Sequence, residues 1–591
     1  MLVPMPSNAL VSRRQVLSTL AAAPLLAQPQ SRRPNVLVIL ADDQGWGDLS
    51  IHGNSNLATP NIDSLARDGA LFQNFYVCSV CAPTRAEFLT GRYHPRGGVR
   101  GVSTGQERLN LDETTIAQSF LSAGYRTAAF GKWHNGSQFP YHPNARGFEE
   151  YYGFTSGHWG QYFDPELDHN GRLVRGQGFI IDDLTNHALR FIEQNRNNPF
   201  FCYLPLNTPH APMQVPGRFY EKFAAFQPAL KATNPTQEDL LMTRAALAMC
   251  ENIDYNVGRV LSQLDKLGLS RDTLVLYLSD NGPNSWRWNG GMKGRKGSLD
   301  EGGLRAPLLM RFPGRIPAGH RVSRVAGAID LYPTLSEFAQ VPVTARKPLD
   351  GKSLTPLLKK EPAPWPDRML FSMQNRRTSV RTQQYRLDPT GALFHIDSDR
   401  GQTRNVAAEQ PETAARLRKA LDAWTAEMLA LTGAPDTRSY TAGYSEFTYL
   451  PARDGVPHGG VKRSSIHPNC SYFSNWSSPS DSITWDIEVG QAGVYEAAIH
   501  YACPAADIGA KVELTFNGAS VQSKITEPYD PPVIGPAQDR APRTESVVKD
   551  FKPLVLGKIE LEKSRGLLTL RALEIPARQA AEIRYVTLRR T

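Results

Sequence analysis

Short runs of apolar residues recur along the first two thirds of the chain, and each run ends in polar residues. Four of them lie at residues 35–40, 127–130, 200–204 and 273–278. Continuous apolar runs of this length are typical of strands that are buried on both faces, as in parallel sheets. Segments with helical spacing lie between them, at residues 62–68, 115–123 and 181–195. This alternation predicts an α/β domain with a large, mostly parallel central sheet.

The polar residues that follow these runs are of the types that metal and group-transfer sites use. They are Asp42 and Asp43 after the first run, Lys132 and His134 after the second, His210 after the third, and Asp280 and Asn281 after the fourth. In open α/β sheets, ligands bind beyond the carboxyl ends of the strands. We therefore expect these side chains to meet at one edge of the sheet, in a site that transfers phosphate or sulfate.

The two acidic pairs predict a metal site. Asp42, Asp43, Asp280 and Asn281 offer only oxygen ligands, which suits a hard cation such as Ca²⁺ or Mg²⁺. Three clustered carboxylates would repel one another without a cation among them. A single Asp-Asp pair is usually a loop or helix cap, but a second pair after another strand favours metal binding.

The C-terminal part of the chain has a different pattern. Apolar and polar residues alternate at residues 483–489, 495–501, 512–516 and 568–572. Several such strands with Gly and Pro turns predict a β-sandwich over residues 464–591. Two interpretations of this module remain open: it binds carbohydrate, or it packs without a ligand.

Between the two regions the sequence predicts a smaller subdomain and a linker. Residues 369–396 are typical of a small antiparallel unit, and residues 412–428 of an amphipathic helix. We therefore place the α/β domain at residues 34–340 and a smaller subdomain at residues 341–431. Residues 432–463, with their Gly and Pro clusters, are interpreted as a linker.

Composition narrows the function only slightly. A chain of 591 residues is expected to form two to four domains. The net charge of +9 favours anionic substrates, but the basic residues are dispersed, so nucleic-acid binding is not indicated. Six cysteines is few, and Cys78, Cys81, Cys202 and Cys250 lack the spacing of a zinc site. Cys470 and Cys503 form a disulfide in one interpretation and are buried thiols in the other.

The N-terminus resembles a twin-arginine export signal. Ser12-Arg13-Arg14-Gln15-Val16-Leu17 precedes an apolar run from Val16 to Ala27, which is too short to span a bilayer as a stable helix. We therefore expect residues 1–27 to be a signal peptide read by the twin-arginine export machinery. This predicts a periplasmic or secreted protein without a transmembrane segment.

The stretch from Cys78 to Arg92 identifies the family that this sequence resembles. Cys81-x-Pro83-Thr84-Arg85 resembles the sulfatase signature Cys-x-Pro-Ser/Thr-Arg, and it fits that signature better than a Cys-x-x-Cys redox motif. Further segments that look like those of sulfatases are residues 42–48, 59–63, 124–134 and 296–307. The chain is thus identified by resemblance as an arylsulfatase-like, formylglycine-dependent type I sulfatase of the alkaline phosphatase-like superfamily. The resemblance implies an alkaline phosphatase-like sandwich, with the predicted β-sandwich module appended.

The resemblance also implies a covalent mechanism. A formylglycine-generating maturation enzyme would oxidise Cys81 in the cytoplasm before export. One hydroxyl of the hydrated aldehyde attacks sulfur, and deprotonation of the other expels sulfate. The family precedent for the metal is Ca²⁺ rather than Mg²⁺, held by the formylglycine oxygen at Cys81 and by Asp42, Asp43, Asp280 and Asn281.

Roles for the remaining residues follow from the same resemblance. Asp280 would help activate the hydrate, and His134 would act as the general base. Lys132, Lys296 and Arg85 would stabilise charge on the sulfate oxygens, while His210 and Lys296 would assist the leaving alcohol. The residues implied to hold the substrate are Lys132, His210, Lys296 and Ser156. Contacts to a sugar ring, or ordinary loop packing, remain open for His94, His158, Trp159, Trp286 and Trp288.

The sequence therefore favours an exported sulfatase that acts on a sulfated carbohydrate. One alternative is a phosphate or phosphonate ester hydrolase on the same fold. Another is an inert, sulfatase-like protein that binds glycans, in which Cys81 remains a thiol.

Overall fold

The structure is a computed structural model that describes Met1, residues 33–359, Glu361 and residues 364–591. Residues 2–27 of the predicted export signal, including Arg13 and Arg14, lie outside the described residues. Residues 33–591 form one compact unit.

The N-terminal α/β domain contains a ten-stranded sheet of order β11-β2-β10-β9-β1-β8-β4-β5-β6-β7 and a separate pair, β12-β3. Its strands are β1 Asn35–Ala41, β2 Ala70–Phe72, β3 Phe75–Tyr76, β4 Arg126–Lys132, β5 Glu150–Phe154, β6 Glu166–His169, β7 Arg172–Arg175, β8 Phe200–Pro205, β9 Thr273–Ser279, β10 Leu308–Arg311, β11 His320–Val322 and β12 Ala326–Gly327.

The middle of this sheet is parallel, as the apolar runs predict. Strand β1 pairs in parallel with β8 and β9, and β4 pairs in parallel with β8 and β5. Every residue of β1, β8 and β9 is buried, because hydrophobic clusters cover both faces of the sheet. In this register Ala41 lies beside Ser279, and Leu40 lies beside Pro205. The carboxyl ends of three central strands are therefore level.

The helices of the described residues are α1 Pro60–Arg67, α2 Cys81–Thr90, α3 Ile116–Ser122, α4 Ile180–Gln194, α5 Gly217–Tyr220, α6 Leu240–Lys266, α7 Glu301–Leu304, α8 Leu331–Ala339 and α9 Pro411–Thr432. Helix α2 is buried along its whole length and is capped after Thr90 by Gly91, whose φ of 67° is left-handed. Glycine adopts that conformation without a Cβ penalty. In the described part of the chain, no helix combines the length and apolarity that a bilayer crossing requires.

A small antiparallel sheet follows, in agreement with the pattern of residues 369–396. Its strands pair in chain order and are β13 Leu370–Gln374, β14 Arg377–Arg381, β15 Tyr385–Leu387 and β16 Leu393–His395. Helix α9 packs on it through Leu417 and Leu421, which share a cluster with Val380 and Leu387.

The C-terminal region consists of two six-stranded, mainly antiparallel sheets that pack face to face. One sheet has the order β17-β22-β27-β24-β25 with β19 beside β22, and the other has the order β20-β21-β28-β23-β26 with β18 beside β28. The strands are β17 Tyr440–Ala442, β18 Phe447–Pro451, β19 Val456–His458, β20 Lys462–Arg463, β21 Phe473–Ser474, β22 Ser482–Val489, β23 Gly493–Ala502, β24 Lys511–Phe516, β25 Ala519–Lys524, β26 Lys552–Leu561, β27 Arg565–Glu574 and β28 Glu582–Arg590.

The interpretation of residues 432–463 as a linker needs correction. Strands β17 and β19 pair with β22 in one sheet, and β18 pairs with β28 in the other. The sandwich thus begins at Tyr440. These strands are two to five residues long and are separated by short segments that contain glycine, so the alternation is too short to indicate a strand.

The cysteines of the described chain are all buried and free. The Cys470 thiol donates to the carbonyl of His158, with Sγ and O 3.1 Å apart. The Cys503 thiol is directed to the carbonyl of Ala580. Of the two interpretations left open by the sequence, the structure therefore has two buried thiols and no disulfide between Cys470 and Cys503.

Candidate active site

Cys81 lies at the N-terminus of α2 and faces the carboxyl ends of β1 and β9. Its Sγ is 3.3 Å from Asp42 Oδ1 and 3.9 Å from Asp43 Oδ1. Asp280 Oδ1 accepts a hydrogen bond from the backbone N–H of Asp43, and Asn281 Nδ2 donates to Asp43 Oδ1 at 2.8 Å. The structure thus brings together the five residues that the sequence assigns to the metal.

Each of the three carboxylates lies close to a long cationic side chain, and Asp42 also lies 3.9 Å from Arg85. Lys132 Nζ lies 2.7 Å from Asp42 Oδ2, and Lys296 Nζ lies 2.6 Å from Asp43 Oδ1. The guanidinium of Arg85 lies 2.7 Å from Asp280 Oδ2. Unpaired buried charges are strongly unfavourable, so this balance allows the cluster to be buried.

The buried charges shift the pKa values of the cluster in different directions. Burial and the neighbouring Asp42 raise the pKa of Asp280 to about 6, against the opposing effect of Arg85. Burial alone would raise the pKa of Asp43, but Lys296 and His210 outweigh it and bring the pKa well below its ordinary value. Burial, Asp280 and Asp42 raise the pKa of the Cys81 thiol well above its ordinary value. Unmodified Cys81 is therefore a protonated thiol and a poor nucleophile.

The donor set fits a hard divalent cation. Carboxylate oxygens of Asp42 and Asp43, with Cys81 Sγ and a ring nitrogen of His210, lie within 4.8 Å of one another. The side-chain oxygen of Asn281 is buried and has no hydrogen-bond partner among the described residues. A buried acceptor without a partner is costly, and an oxygen-binding cation would satisfy it. The raised pKa of Asp280 likewise indicates carboxylates that a cation would stabilise.

His134 presents a free ring nitrogen in the site. Its Nε2 lies 2.8 Å from the carbonyl of Val102, which only accepts, so Nε2 carries the proton. Nδ1 is buried without a partner among the described residues. Burial, together with Lys132, holds the pKa of His134 well below its ordinary value. The neutral ring therefore offers the Nδ1 lone pair as a proton acceptor. Its φ of 65° is left-handed, a strained conformation for histidine.

His210 lies beside Asp43. Its Nδ1 donates to the carbonyl of Ala211, and its Nε2 lies 3.6 Å from Asp43 Oδ2. Burial and Lys296 lower the pKa of His210 to about 4. The ring stacks on that of His158, with centroids 5.9 Å apart. Nε2 is thus the ring atom that faces the site.

Arg85 has a role that the sequence does not indicate. Its Nε and Nη2 both donate to Asp280 Oδ2, and its Nη1 donates to the carbonyl of Lys132 at 2.7 Å. Arg85 therefore fixes the orientation of Asp280 and the end of β4. Its predicted contact with sulfate stays a prediction.

Thr84 is a positioning residue that the sequence analysis missed. Its hydroxyl donates to the backbone carbonyl of Asp280 at 2.6 Å and accepts from the N–H of Cys78 at 2.8 Å. It thus ties the start of α2 to the end of β9. Its place in the signature was the available signal, since a hydroxyl is specified there.

Of the further residues predicted to contact substrate, some lie at the site and others do not. Ser156 Oγ donates to the carbonyl of His158 at 2.8 Å, within its own loop, and its contact with sulfate stays a prediction. His158 meets His210 at the site. His94 instead belongs to a separate buried cluster with Cys78 and Glu87.

Fold and site together define a hydrolase of the alkaline phosphatase-like type. The family model described as Sulfatase matches residues 34–341, and the model of the N-sulphoglucosamine sulphohydrolase C-terminal region matches residues 295–421. The chain belongs to the sulfatase family, and it is a sulfuric ester hydrolase.

Curated relatives agree with this assignment. The chain is 32% identical to N-acetylgalactosamine-6-sulfatase of Mus musculus over 416 residues, which is 64% of this chain and 76% of that protein. It is 33% identical to arylsulfatase A of Homo sapiens over 384 residues, which is 58% of this chain and 71% of that protein.

Solved structures agree as well. The crystal structure of Ps i-CgsB in complex with k-i-k-neocarrahexaose has 29% sequence identity and a TM-score of 0.62, with 68% of this chain and 98% of that chain covered. The phosphonate monoester hydrolase of Agrobacterium radiobacter, at 22% identity and a TM-score of 0.52 over 68% of this chain and 96% of that chain, shares the fold.

Proposed function

We propose that this protein is an exported sulfatase that hydrolyses a sulfate ester of a carbohydrate, with a nucleophile formed from Cys81. The observation that carries the proposal is the position of Cys81. It lies at the N-terminus of α2, with carboxylates and amines around it and a neutral histidine in the same site. A helix N-terminus also favours a bound anion such as sulfate.

The chemistry of the unmodified thiol supports the conversion of Cys81. Carboxylates and burial keep the thiol protonated, because they raise its pKa well above the ordinary value. Formylglycine at this position would supply a hydrated aldehyde with two hydroxyl groups, one to attack sulfur and one to release sulfate. The resident metal, which we propose to be Ca²⁺, would be held by Asp42, Asp43, Asp280 and Asn281 and would supply positive charge for the sulfate oxygens.

The side chains of the chain itself account for the proton and charge movements. His134 would accept a proton at Nδ1, the ring nitrogen without a partner among the described residues. Lys132 and Lys296 would stabilise negative charge on the sulfate oxygens. His210 would face the leaving oxygen through Nε2, since Nδ1 is committed to the Ala211 carbonyl. Arg85 would keep Asp280 in place.

Sulfated carbohydrate is the substrate class that the relatives support. One is named N-acetylgalactosamine-6-sulfatase, and one solved neighbour is described in complex with a neocarrahexaose. A net charge of +9 is compatible with an anionic polymer. The twin-arginine-like N-terminus supports export of the folded protein after Cys81 has been oxidised by a maturation enzyme.

Mass spectrometry of the exported protein tests the proposal. The tryptic peptide that contains Cys81 should be lighter than the thiol peptide by about 18 Da, the loss expected when cysteine becomes formylglycine. Detection of the thiol peptide alone would favour the inert, glycan-binding alternative.

Relative turnover tests the second candidate, a phosphate or phosphonate ester hydrolase, which the shared fold of a phosphonate monoester hydrolase favours. The converted protein should release sulfate from 4-nitrophenyl sulfate and from sulfated sugars faster than it releases phosphate from the matching phosphate esters. The opposite order would replace the proposed function with that alternative.

A further inference from the structure

His158 is a buried histidine that the catalytic scheme above does not use. It is 6% exposed, and its ring stacks on that of His210. Its Nε2 is buried and has no hydrogen-bond partner among the described residues. A buried polar atom without a partner in a substrate site indicates that the substrate supplies the partner.

A residue of the C-terminal sandwich determines which ring nitrogen of His158 carries the proton. Asn469, in the loop between β20 and β21, places its Nδ2 at 3.2 Å from His158 Nδ1. An amide nitrogen only donates, so His158 Nδ1 accepts. Burial, with His210 and Lys132 nearby, holds the pKa of His158 well below its ordinary value. The neutral ring therefore carries its single proton on Nε2, which is a hydrogen-bond donor.

The same Asn469 leaves an acceptor free. Its side-chain oxygen is buried without a partner among the described residues, like His158 Nε2. The two ring nitrogens of a histidine point away from each other, and Asn469 lies on the Nδ1 side, so the Asn469 oxygen and His158 Nε2 face different partners.

The pair lies beside the catalytic base. A Cβ at Gly157 would lie 2.5 Å from Asn469 Nδ2 and 2.6 Å from His134 Nε2, so a larger residue here would require one of these two side chains to move.

Further contacts from the sandwich fix the loop that carries His158. Cys470 donates to the carbonyl of His158. Arg543 donates to the carbonyl of Gly160 at 2.8 Å, and Gln161 donates to Gln538 at 2.8 Å. The C-terminal region therefore holds this loop at His158, Gly160 and Gln161.

We infer that the sandwich completes the substrate pocket, with His158 Nε2 donating to a hydroxyl of the sugar that carries the sulfate and Asn469 holding the ring in the tautomer that donates there. This inference rests on the proposed function and deepens it. His158 is a substrate-binding residue, and Asn469 is the positioning residue for the His158 proton. The module assigned from sequence to carbohydrate binding or packing thus acts inside the active site.

Comparison of two kinds of substrate distinguishes binding of a sugar hydroxyl from a role in sulfate hydrolysis itself. 4-Nitrophenyl sulfate carries no sugar hydroxyl, whereas N-acetylgalactosamine 6-sulfate and sulfated carrageenan oligosaccharides do. Asn469→Ala should lower kcat/KM for the sugar sulfate that the wild type turns over best by about 10- to 100-fold, the cost of unpaired polar groups in a site built for a hydroxyl. Turnover of 4-nitrophenyl sulfate should change by less than about threefold.

Conservative variants and a matched control sharpen the test. His158→Gln retains an N–H donor and should keep more sugar activity than His158→Ala. Asn469→Asp places an acceptor at His158 Nδ1, so the ring proton should move to Nδ1, visible as an exchange of the two ¹⁵N shifts of this ring by NMR. Gln522→Ala, on an exposed strand of the same sandwich, should alter neither substrate.

The outcomes distinguish failure of the inference from failure of the proposed function. Equal losses on both substrates, or none on either, overturn the inference while the sulfatase activity stands. A wild type that cleaves 4-nitrophenyl sulfate but no sugar sulfate also overturns it. A wild type with verified formylglycine that cleaves neither substrate overturns the proposed function itself.

Discussion

Cys81 lies in surroundings that suit a reaction of an anionic ester and not thiol chemistry. Asp42 lies 3.3 Å from its sulfur, and burial with Asp280 raises its pKa well above the ordinary value. Reactive cysteines are found in the opposite setting, where positive charge stabilises a thiolate. The cationic groups near Cys81 are paired with carboxylates instead.

Replacement of Cys81 by serine tests this interpretation. We expect Cys81→Ser to lose turnover of 4-nitrophenyl sulfate, because a serine sulfate ester has no second hydroxyl on the same carbon with which to expel sulfate. Cys78→Ser is the matched control, since Cys78 is equally buried three residues away and lies outside the reaction. Wild-type turnover by Cys81→Ser would contradict the mechanism.

Replacement of Asp280 by asparagine tests the proposed metal site. Asp280→Asn keeps the shape of the side chain but removes one carboxylate charge, so Ca²⁺ should bind at least about tenfold more weakly and activity should need more Ca²⁺. Calorimetric titration of Ca²⁺ into chelator-treated protein, together with activity against free Ca²⁺, measures both. Asp48→Asn is the control, because Asp48 is a buried carboxylate paired with Arg287. Unchanged Ca²⁺ affinity in Asp280→Asn would remove Asp280 from the metal site.

At the scale of elements, the strand ends were predictable and the connections between elements were not. The apolar runs that became β1, β8 and β9 are buried on both faces, so hydrophobicity alone marks them. Because parallel strands end at one edge, the meeting of Asp42 with Asp280 also follows from the sequence. The sequence pattern did not predict the strands between Tyr440 and Arg463, because these strands depend on pairing with distant strands.

The site contacts that could not be predicted from the sequence also depend on residues that are distant along the chain. Thr84 and Arg85 act through hydrogen bonds to backbone and carboxylate groups of other elements. Asn469 reaches His158 across 311 residues of chain. No local period or spacing encodes such contacts, because they exist only after the sheet, helix α2 and the sandwich have packed.

Glu301 joins the segment that carries Lys296 to the small antiparallel sheet. It begins α7, is fully buried, and contacts Arg386 at 2.8 Å, Arg381 at 3.5 Å and Arg305 at 3.6 Å. Burial alone would raise its pKa, but the three guanidinium groups outweigh burial and hold the pKa at about 2. The carboxylate is therefore the counter-ion of a buried cationic cluster.

This cluster predicts a pH-dependent contribution to stability. The folded-state pKa of about 2 lies below the ordinary 4.5, so the contribution is present above about pH 4.5 and is lost as the pH falls toward 2. Glu301→Gln should lower the free energy of unfolding by about 3–5 kcal/mol at pH 7, because it leaves buried charges unpaired. Its difference from wild type should shrink below pH 4.5.

Urea unfolding at a series of pH values measures this effect. Glu409→Gln, which breaks the exposed pair with Arg404, should cost less than about 1 kcal/mol at any pH. A difference between Glu301→Gln and wild type that stays constant from pH 7 to pH 3 would show that the Glu301 charge is not what stabilises this junction.

At the scale of the whole molecule, the sandwich is joined to the α/β domain through buried polar contacts. Arg453 is 2% exposed and pairs with Asp454 at 2.9 Å, and Gln138 of the α/β domain donates to Asp454 at 3.0 Å. Gln214 of the α/β domain likewise donates a hydrogen bond to Asp539 of the C-terminal region at 2.9 Å. Separating the two parts would expose these paired groups to water individually and leave the loop that carries His158 without its support.

We therefore expect residues 33–591 to unfold as one cooperative unit, although chains with several domains commonly unfold in stages. Differential scanning calorimetry should give a single transition, and sulfatase activity should disappear at the temperature at which the buried Trp485 of the sandwich changes its fluorescence.

Asp454→Ala leaves Arg453 buried without its partner, so it should lower the Tm and separate the transition into two. Asp486→Ala removes an exposed pair with Arg565 on the same sandwich and should do neither. Two transitions in the wild type, with activity retained between them, would mean that the sandwich is independent of the active site, and they would also remove the structural basis for its role in binding the sugar.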